Sequence, residues 1–135
     1  MIRLLYISTS RQPIVPALLG DILRTSRRNN IRCDVTGLLV VGGRRFLQAL
    51  EGPDDAVEAT FERIGRDPRH FAVVSLARDT IATRQFAGWA MGVQEGHTPG
   101  RAATIDQAVA ALIAPIADPS LKGYFGGFAE RQAAA

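Results

Sequence analysis

The sequence predicts an α+β domain with the element order β-α-β-β-α-β-β, two helices on one face of a single sheet and C-terminal helices on the other. Three observations carry this reading. Runs rich in β-branched and aromatic residues alternate with two segments of three-and-four apolar spacing. Gly42-Gly43 joins two of those runs as a hairpin signal. The chain of 135 residues, 47% of them hydrophobic, can bury one real core but cannot form two full domains.

The first strand is Ile2 to Ile7, unbroken by Gly or Pro and ending near Ser8, after which Pro13 and Pro16 punctuate the chain. Val15, Leu18, Leu19, Ile22 and Leu23 then fall on one helical face, with Arg27 and Arg28 suited to its C-terminal turn and Asn29 and Asn30 expected to close it. Val35 to Val41 is the second strand. Arg45 to Glu51 is the third, with Phe46, Gln48 and Leu50 sharing a face. Pro53, Asp54 and Asp55 start a second helix with the stripe Val57, Phe61 and Ile64, and Gly65 ends it. Asp67 and Pro68 turn the chain into a fourth strand, Phe71 to Leu76, and a fifth is expected around Phe86 to Val93.

This order contains the split βαβ pattern of a ferredoxin-like sheet, with both crossover helices on one face. Composition changes after Glu95, where Gly96, His97, Thr98, Pro99 and Gly100 read as a linker. The expected division is therefore 1–95 for the main domain and 96–135 for a helical extension. Thr104 and Gln107 form a capping box before Val109, Leu112 and Ile113, Pro115 ends or kinks that helix, and a short, glycine-weakened helix follows from Ser120.

Composition excludes several chemistries. Cys33 is the one cysteine, so an intrachain disulfide, a CxxC redox pair and a multi-cysteine zinc site are impossible, and a reducing cytoplasm fits best. The apolar start is too short for a signal segment, and no run reaches the ~20 apolar residues of a membrane span. The net charge of +3 is scattered, with Arg24, Arg27, Arg28 and Arg32 the only dense group, which argues against nucleic acid as a partner. GxGxxG, GxxxxGK[ST] and GxSxG are all missing, and the two histidines lack metal-ligand spacing.

What stands out is polar residues where a core does not ask for them: Tyr6 within the first strand, Asn29 and Asn30 at the end of the first helix, and Gln48 on an apolar strand face. A buried glutamine left unmet costs about 1 to 3 kcal/mol, so Gln48 expects a polar partner, Tyr6 or backbone in the simplest case.

The segments LLYIS, SRRNN, TGLLVVGGRRFLQALEG, RIGRDPRH and RQFAGWAMG, in this order, resemble the BLUF domain, the blue-light sensor that uses flavin. The resemblance runs from about Ile2 to Val93. It implies a non-covalently bound flavin, usually FAD, with FMN and riboflavin sharing the same ring. By the same resemblance Tyr6 is the electron donor, Gln48 the switching amide, and Asn29 and Asn30 hold the polar edge of the ring. Ile22 and Ile64 sandwich it, Asp67, Arg69 and His70 lie near its edge and ribityl chain, and Trp89 and Met91 respond to light. Such a chain is a short sensor rather than an enzyme. Its signal passes through light-driven electron and proton transfer from Tyr6 and rearrangement of the Gln48 amide to a separate protein or its own oligomer. A rival reading on the same topology is an RNA-binding sheet stacking bases on Tyr6 and Phe46, although the RNP consensus is missing. A phosphate-binding hydrolase of acylphosphatase type is a second, weakened by the lack of a phosphate loop in STSRQP.

Overall fold

The computed structural model describes residues 1–87, 92–95, 114, 116 and 118–134. The elements are β1 (Ile2–Ser10), α1 (Pro16–Cys33), β2 (Thr36–Gly42), β3 (Arg45–Gly52), α2 (Asp54–Gly65), β4 (His70–Thr80), β5 (Gly92–Glu95) and α3 (Pro119–Ala134). They build one five-stranded sheet in the order β4-β1-β3-β2-β5. The three antiparallel pairings among β1 to β4 are ferredoxin-like, with β3 antiparallel to both β1 and β2 and β4 antiparallel to β1; β5 adds parallel to β2.

Register decides which side chains meet. Tyr6 stands opposite Gln48, and Gln48 opposite Leu39; Ser8 opposes Phe46, and Phe46 opposes Val41. These residues, with Leu4 and Leu50, face α1 and α2, and pack with Leu19, Leu23, Val35 and Val57. The alternate residues Leu5, Leu38, Val40, Leu47 and Ala49 face the other way, because strand side chains alternate.

That second face is covered by α3. Leu121, Phe125, Phe128 and Ala129 recur at helical spacing and are all buried against it. Three glycines weaken this helix in isolation, and the apolar face it lies on supplies what propensity does not. Asp118 caps it, its Oδ1 accepting the backbone N–H groups of Ser120 at 2.9 Å and Leu121 at 3.3 Å. The expected helix over Thr104 to Ile113 and the linker before it lie outside the described residues.

Several boundaries differ from the sequence reading. α1 runs through Asn29 and Asn30 to Cys33, since Asn30 is buried and the stop is made by Asp34, whose left-handed backbone (φ 60°) returns its N–H to the Asn30 carbonyl. β1 extends to Ser10, whose N–H reaches the Arg44 carbonyl at 2.7 Å. β4 continues to Thr80, because Ala77, Arg78 and Asp79 pair with Leu5, Leu4 and Arg3 despite their modest strand propensity. Phe86 belongs to no strand. Its ring is buried edge-on to Phe125, centroids 6.2 Å apart, and its N–H donates to Glu51 Oε1 at 2.7 Å; the fifth strand among the described residues is Gly92–Glu95.

Candidate functional site

Between α1 and α2, over the centre of the sheet, lies an open cleft of mixed apolar and polar lining, the kind of site where a small-molecule cofactor is held. Tyr6, Leu39, Phe46 and Gln48 form its floor; Ile22, Thr25, Ser26, Asn29 and Asn30 come from α1; Thr60, Arg63 and Ile64 come from α2; Asp67, Arg69 and His70 close one end.

At the floor the Tyr6 hydroxyl donates to Oε1 of Gln48. The two residues are direct cross-strand partners, 4% and 3% exposed, so the sheet itself holds donor and acceptor together. Phe61 of α2 packs on the phenol ring, centroids 5.4 Å apart. Burial, and next the negative charge of Asp67, push the Tyr6 pKa well above its ordinary value, so the phenol keeps its proton at neutral pH. With Oε1 committed to Tyr6, the opposite terminus of the Gln48 amide is its NH₂ group, a donor.

The end wall is built from one short segment. Arg69 Nε lies 3.0 Å from both carboxylate oxygens of Asp67, and the Arg69 backbone N–H donates to Oδ1 at 2.9 Å. Burial acts to raise the Asp67 pKa, but the Arg69 hydrogen bonds and charge outweigh it and hold the carboxyl below its ordinary value. His70 reaches back to Ser8 on β1 and to the Ile64 carbonyl on α2.

The structure thus places Tyr6, Ile22, Asn29, Asn30, Gln48, Ile64, Asp67, Arg69 and His70 around one cleft, while Trp89 and Met91 lie outside the described residues. Thr25, Ser26, Leu39, Thr60 and Arg63 join them without having been singled out in the sequence, and Phe46, which the sequence offered only as a stacking residue for RNA, lies on the same floor. A signal was available: Ile22, Thr25, Ser26 and Asn29 continue one helical face, as do Thr60, Arg63 and Ile64. Arg63 has no ion-pair partner among the described residues, whereas Arg66 and Arg69 pair with Glu62 and Asp67.

The donor set fits a flat aromatic ring with one polar edge: aliphatic side chains on the two helices, two amides on α1 and a third on the floor, and Arg63 for an anionic tail. It fits nucleic acid poorly, because Tyr6 and Phe46 are both buried under helices and offer no exposed stacking platform. Among the described residues no group of His, Cys, Asp or Glu could hold a metal, and no helix is long and apolar enough to cross a membrane.

Fold and cleft together define a cofactor-binding α+β domain of ferredoxin-like topology. The family described as BLUF, sensors of blue-light using FAD, matches residues 1–92, and the chain belongs to it: this is a blue-light flavin photoreceptor. The blue light- and temperature-regulated antirepressor BluF of Escherichia coli K12 is 35% identical over 83 residues, 62% of this chain and 21% of that protein. Among solved structures, BlrB, a BLUF protein in its dark state, aligns with a TM-score of 0.73 at 27% identity over 96% of each chain. Klebsiella pneumoniae BlrP1 with FMN and cyclic diGMP aligns with a TM-score of 0.76 at 30% identity, over 92% of this chain and 34% of that one. The chain spans only about a fifth of the E. coli relative.

Proposed function

We propose that light is sensed by the Tyr6–Gln48 pair beneath a non-covalently held FAD, and that the change is read out through the sheet to the C-terminal helices. The observation that carries this reading is the Tyr6 hydroxyl bonded to Gln48 Oε1 on the floor of a cleft walled by Ile22 and Ile64.

Bound flavin supplies the absorption of blue light and, once excited, the capacity to accept one electron. With flavin bound, Ile22 and Ile64 would exclude water from the two faces of the ring, Asn29 and Asn30 would meet its polar edge, the Asp67–Arg69 pair would lie near that edge and the ribityl chain, and Arg63 would supply positive charge for the phosphates. Neutral Tyr6 is the electron donor. Its oxidation makes the phenolic hydrogen strongly acidic, and the proton moves from the hydroxyl onto Gln48 Oε1 along the existing hydrogen bond. Electron and proton both return, so nothing is consumed. What persists is a rearranged Gln48 amide, rotated or tautomerised, that donates a new hydrogen bond at the cofactor's edge.

FAD is favoured by the family description, while the FMN in the BlrP1 complex belongs to that protein. Residues 1–95 act as the sensor and 96–135 as the extension that takes up the signal, with Trp89 and Met91 on the route and a separate cytoplasmic protein or a second copy of the chain as receiver. Support comes from α3, which lies on the sheet face opposite the cleft, against the same strands that carry Tyr6 and Gln48.

The test is an absorption spectrum of the purified chain in darkness and after blue light. A flavin band that shifts to the red and returns thermally is expected. An unchanged band in fully loaded protein rejects the reading.

A further inference from the structure

We propose that His70 is a positioning residue for the light reaction rather than a ligand contact: it fixes the last turn of α2, and with it Ile64, against the strand that carries Tyr6. The inference rests on the photochemical reading of the cleft. Both ring nitrogens of His70 are engaged by protein. Nε2 lies 2.7 Å from the Ile64 carbonyl and Nδ1 lies 2.8 Å from the Ser8 hydroxyl. A carbonyl only accepts, so Nε2 carries a hydrogen and donates it.

The Ile64 carbonyl is one of the last-turn acceptors that a helix cannot satisfy internally, and it takes the Asp67 N–H at 3.0 Å as well as the imidazole. Ser8 lies two residues from Tyr6 on the same face of β1. Phe46, two residues from Gln48 on β3, stands edge-on to the imidazole with centroids 6.4 Å apart. The ring therefore ties the apolar wall at Ile64 to the immediate neighbours of both Tyr6 and Gln48. The segment that delivers it is itself braced by the Asp67–Arg69 contacts. Removing the imidazole frees the α2 end to move relative to the floor while leaving the amides of the cleft in place.

The experiment compares the full chain with His70→Leu and His70→Gln, the latter keeping an amide able to donate toward Ile64. Flavin content, band shift and dark recovery are measured on each. We expect all three to carry flavin, His70→Gln to recover within about twofold of the parent, and His70→Leu to differ from it by about fivefold or more, the rate equivalent of one lost hydrogen bond. Parental recovery in His70→Leu, or equal impairment in both variants, overturns the proposal.

A second measurement needs no variant. In parent protein labelled at histidine nitrogen and backbone carbonyl, a coupling across the hydrogen bond from His70 Nε2 to the Ile64 carbonyl is expected with and without flavin. Its appearance only on flavin loading, or its absence in both forms, overturns the proposal. That coupling does not depend on light, so it judges the clamp even if the band shift should fail.

Discussion

Arg3 and Glu51 stand directly opposite each other across β1 and β3 and form an ion pair whose carboxylate has no solvent exposure. Such a site costs desolvation unless the carboxylate is well bonded, and here both oxygens are engaged: Oε2 accepts from Arg3 Nε at 2.9 Å and from the backbone N–H of Gln85 at 3.0 Å, and Oε1 accepts from the backbone N–H of Phe86 at 2.7 Å. Arg3 also lies 3.5 Å from Asp118, the cap of α3. One carboxylate thus ties the strand of Gln48 to the chain leading into β5.

Either Arg3→Ala or Glu51→Ala should lower stability by about 3 to 5 kcal/mol, because each leaves a buried charge without its partner. The double change to Met and Leu should recover only part of this. Two backbone N–H groups then lose their acceptor, at about 1 to 3 kcal/mol each. Denaturant midpoints of the four proteins check the ordering.

Tyr6→Phe keeps the ring and its packing on Phe61 but removes the hydroxyl, so fold and flavin content should survive while the red-shifted state is lost. Gln48→Leu should behave alike, since no amide remains to rearrange. Spectra before and after illumination, at equal flavin occupancy, decide the matter; a parental shift in both variants refutes the mechanism.

The raised Tyr6 pKa carries a pH dependence of known sign. The folded state holds the phenolic proton more tightly than the unfolded chain, whose tyrosine titrates near 10.0. The linked stability is fully present below that pH and is lost as the pH rises toward the folded value, at about 1.4 kcal/mol per unit. Relative to Tyr6→Phe, the parent should therefore lose stability above pH 10. Other titrating groups are common to both chains and cancel in the difference, which denaturant melts at stepped pH will read.

Phe125 has no exposure and sits against Phe86 and the sheet. Phe125→Ala should cost about 3 to 5 kcal/mol. Deleting α3 uncovers Leu5, Leu38, Val40, Leu47 and Ala49 together, so the shortened chain should self-associate or precipitate rather than persist as a free sensor. Light scattering of the truncated protein measures this.

Much of the architecture is legible because it follows local periodicity. β2, β3 and α2 fall where alternation, glycine and the Pro-Asp-Asp start put them, although the hairpin turn lies one residue later than the glycine pair, at Gly43 and Arg44, with Gly42 still paired to Arg45. What escaped depends on partners remote in sequence. Phe86 looks like strand because it is aromatic, yet its backbone N–H is spent on Glu51, 35 residues earlier. Asn29 and Asn30 look like a helix stop, but Asn30 is buried and Asp34 takes the left-handed turn. In the cleft, Tyr6 and Gln48 were visible as polar intruders in apolar strands. Thr25, Ser26 and Thr60 were not, since small hydroxyl residues on a helix read as an ordinary solvated face. Gly52 also hides its importance: a Cβ there would meet the Asp34 carbonyl at 2.7 Å, a contact no sequence pattern announces.

The outer strand β4 spends 11 residues alongside a β1 of 9, and both register shifts put the surplus residue on β4, one of them beside Ala72 at φ 54°. Each shift interrupts the alternation of sides, which is why the adjacent Leu76 and Ala77 both lean toward the α3 core. It also bends the row of amides that β4 turns to water. A straight row would invite another chain to extend the sheet, and a twice-kinked one gives it no continuous ladder to join. Assembly between copies should therefore be sought through helices, and runaway stacking at high concentration is guarded against at the one edge where β4 has no neighbour.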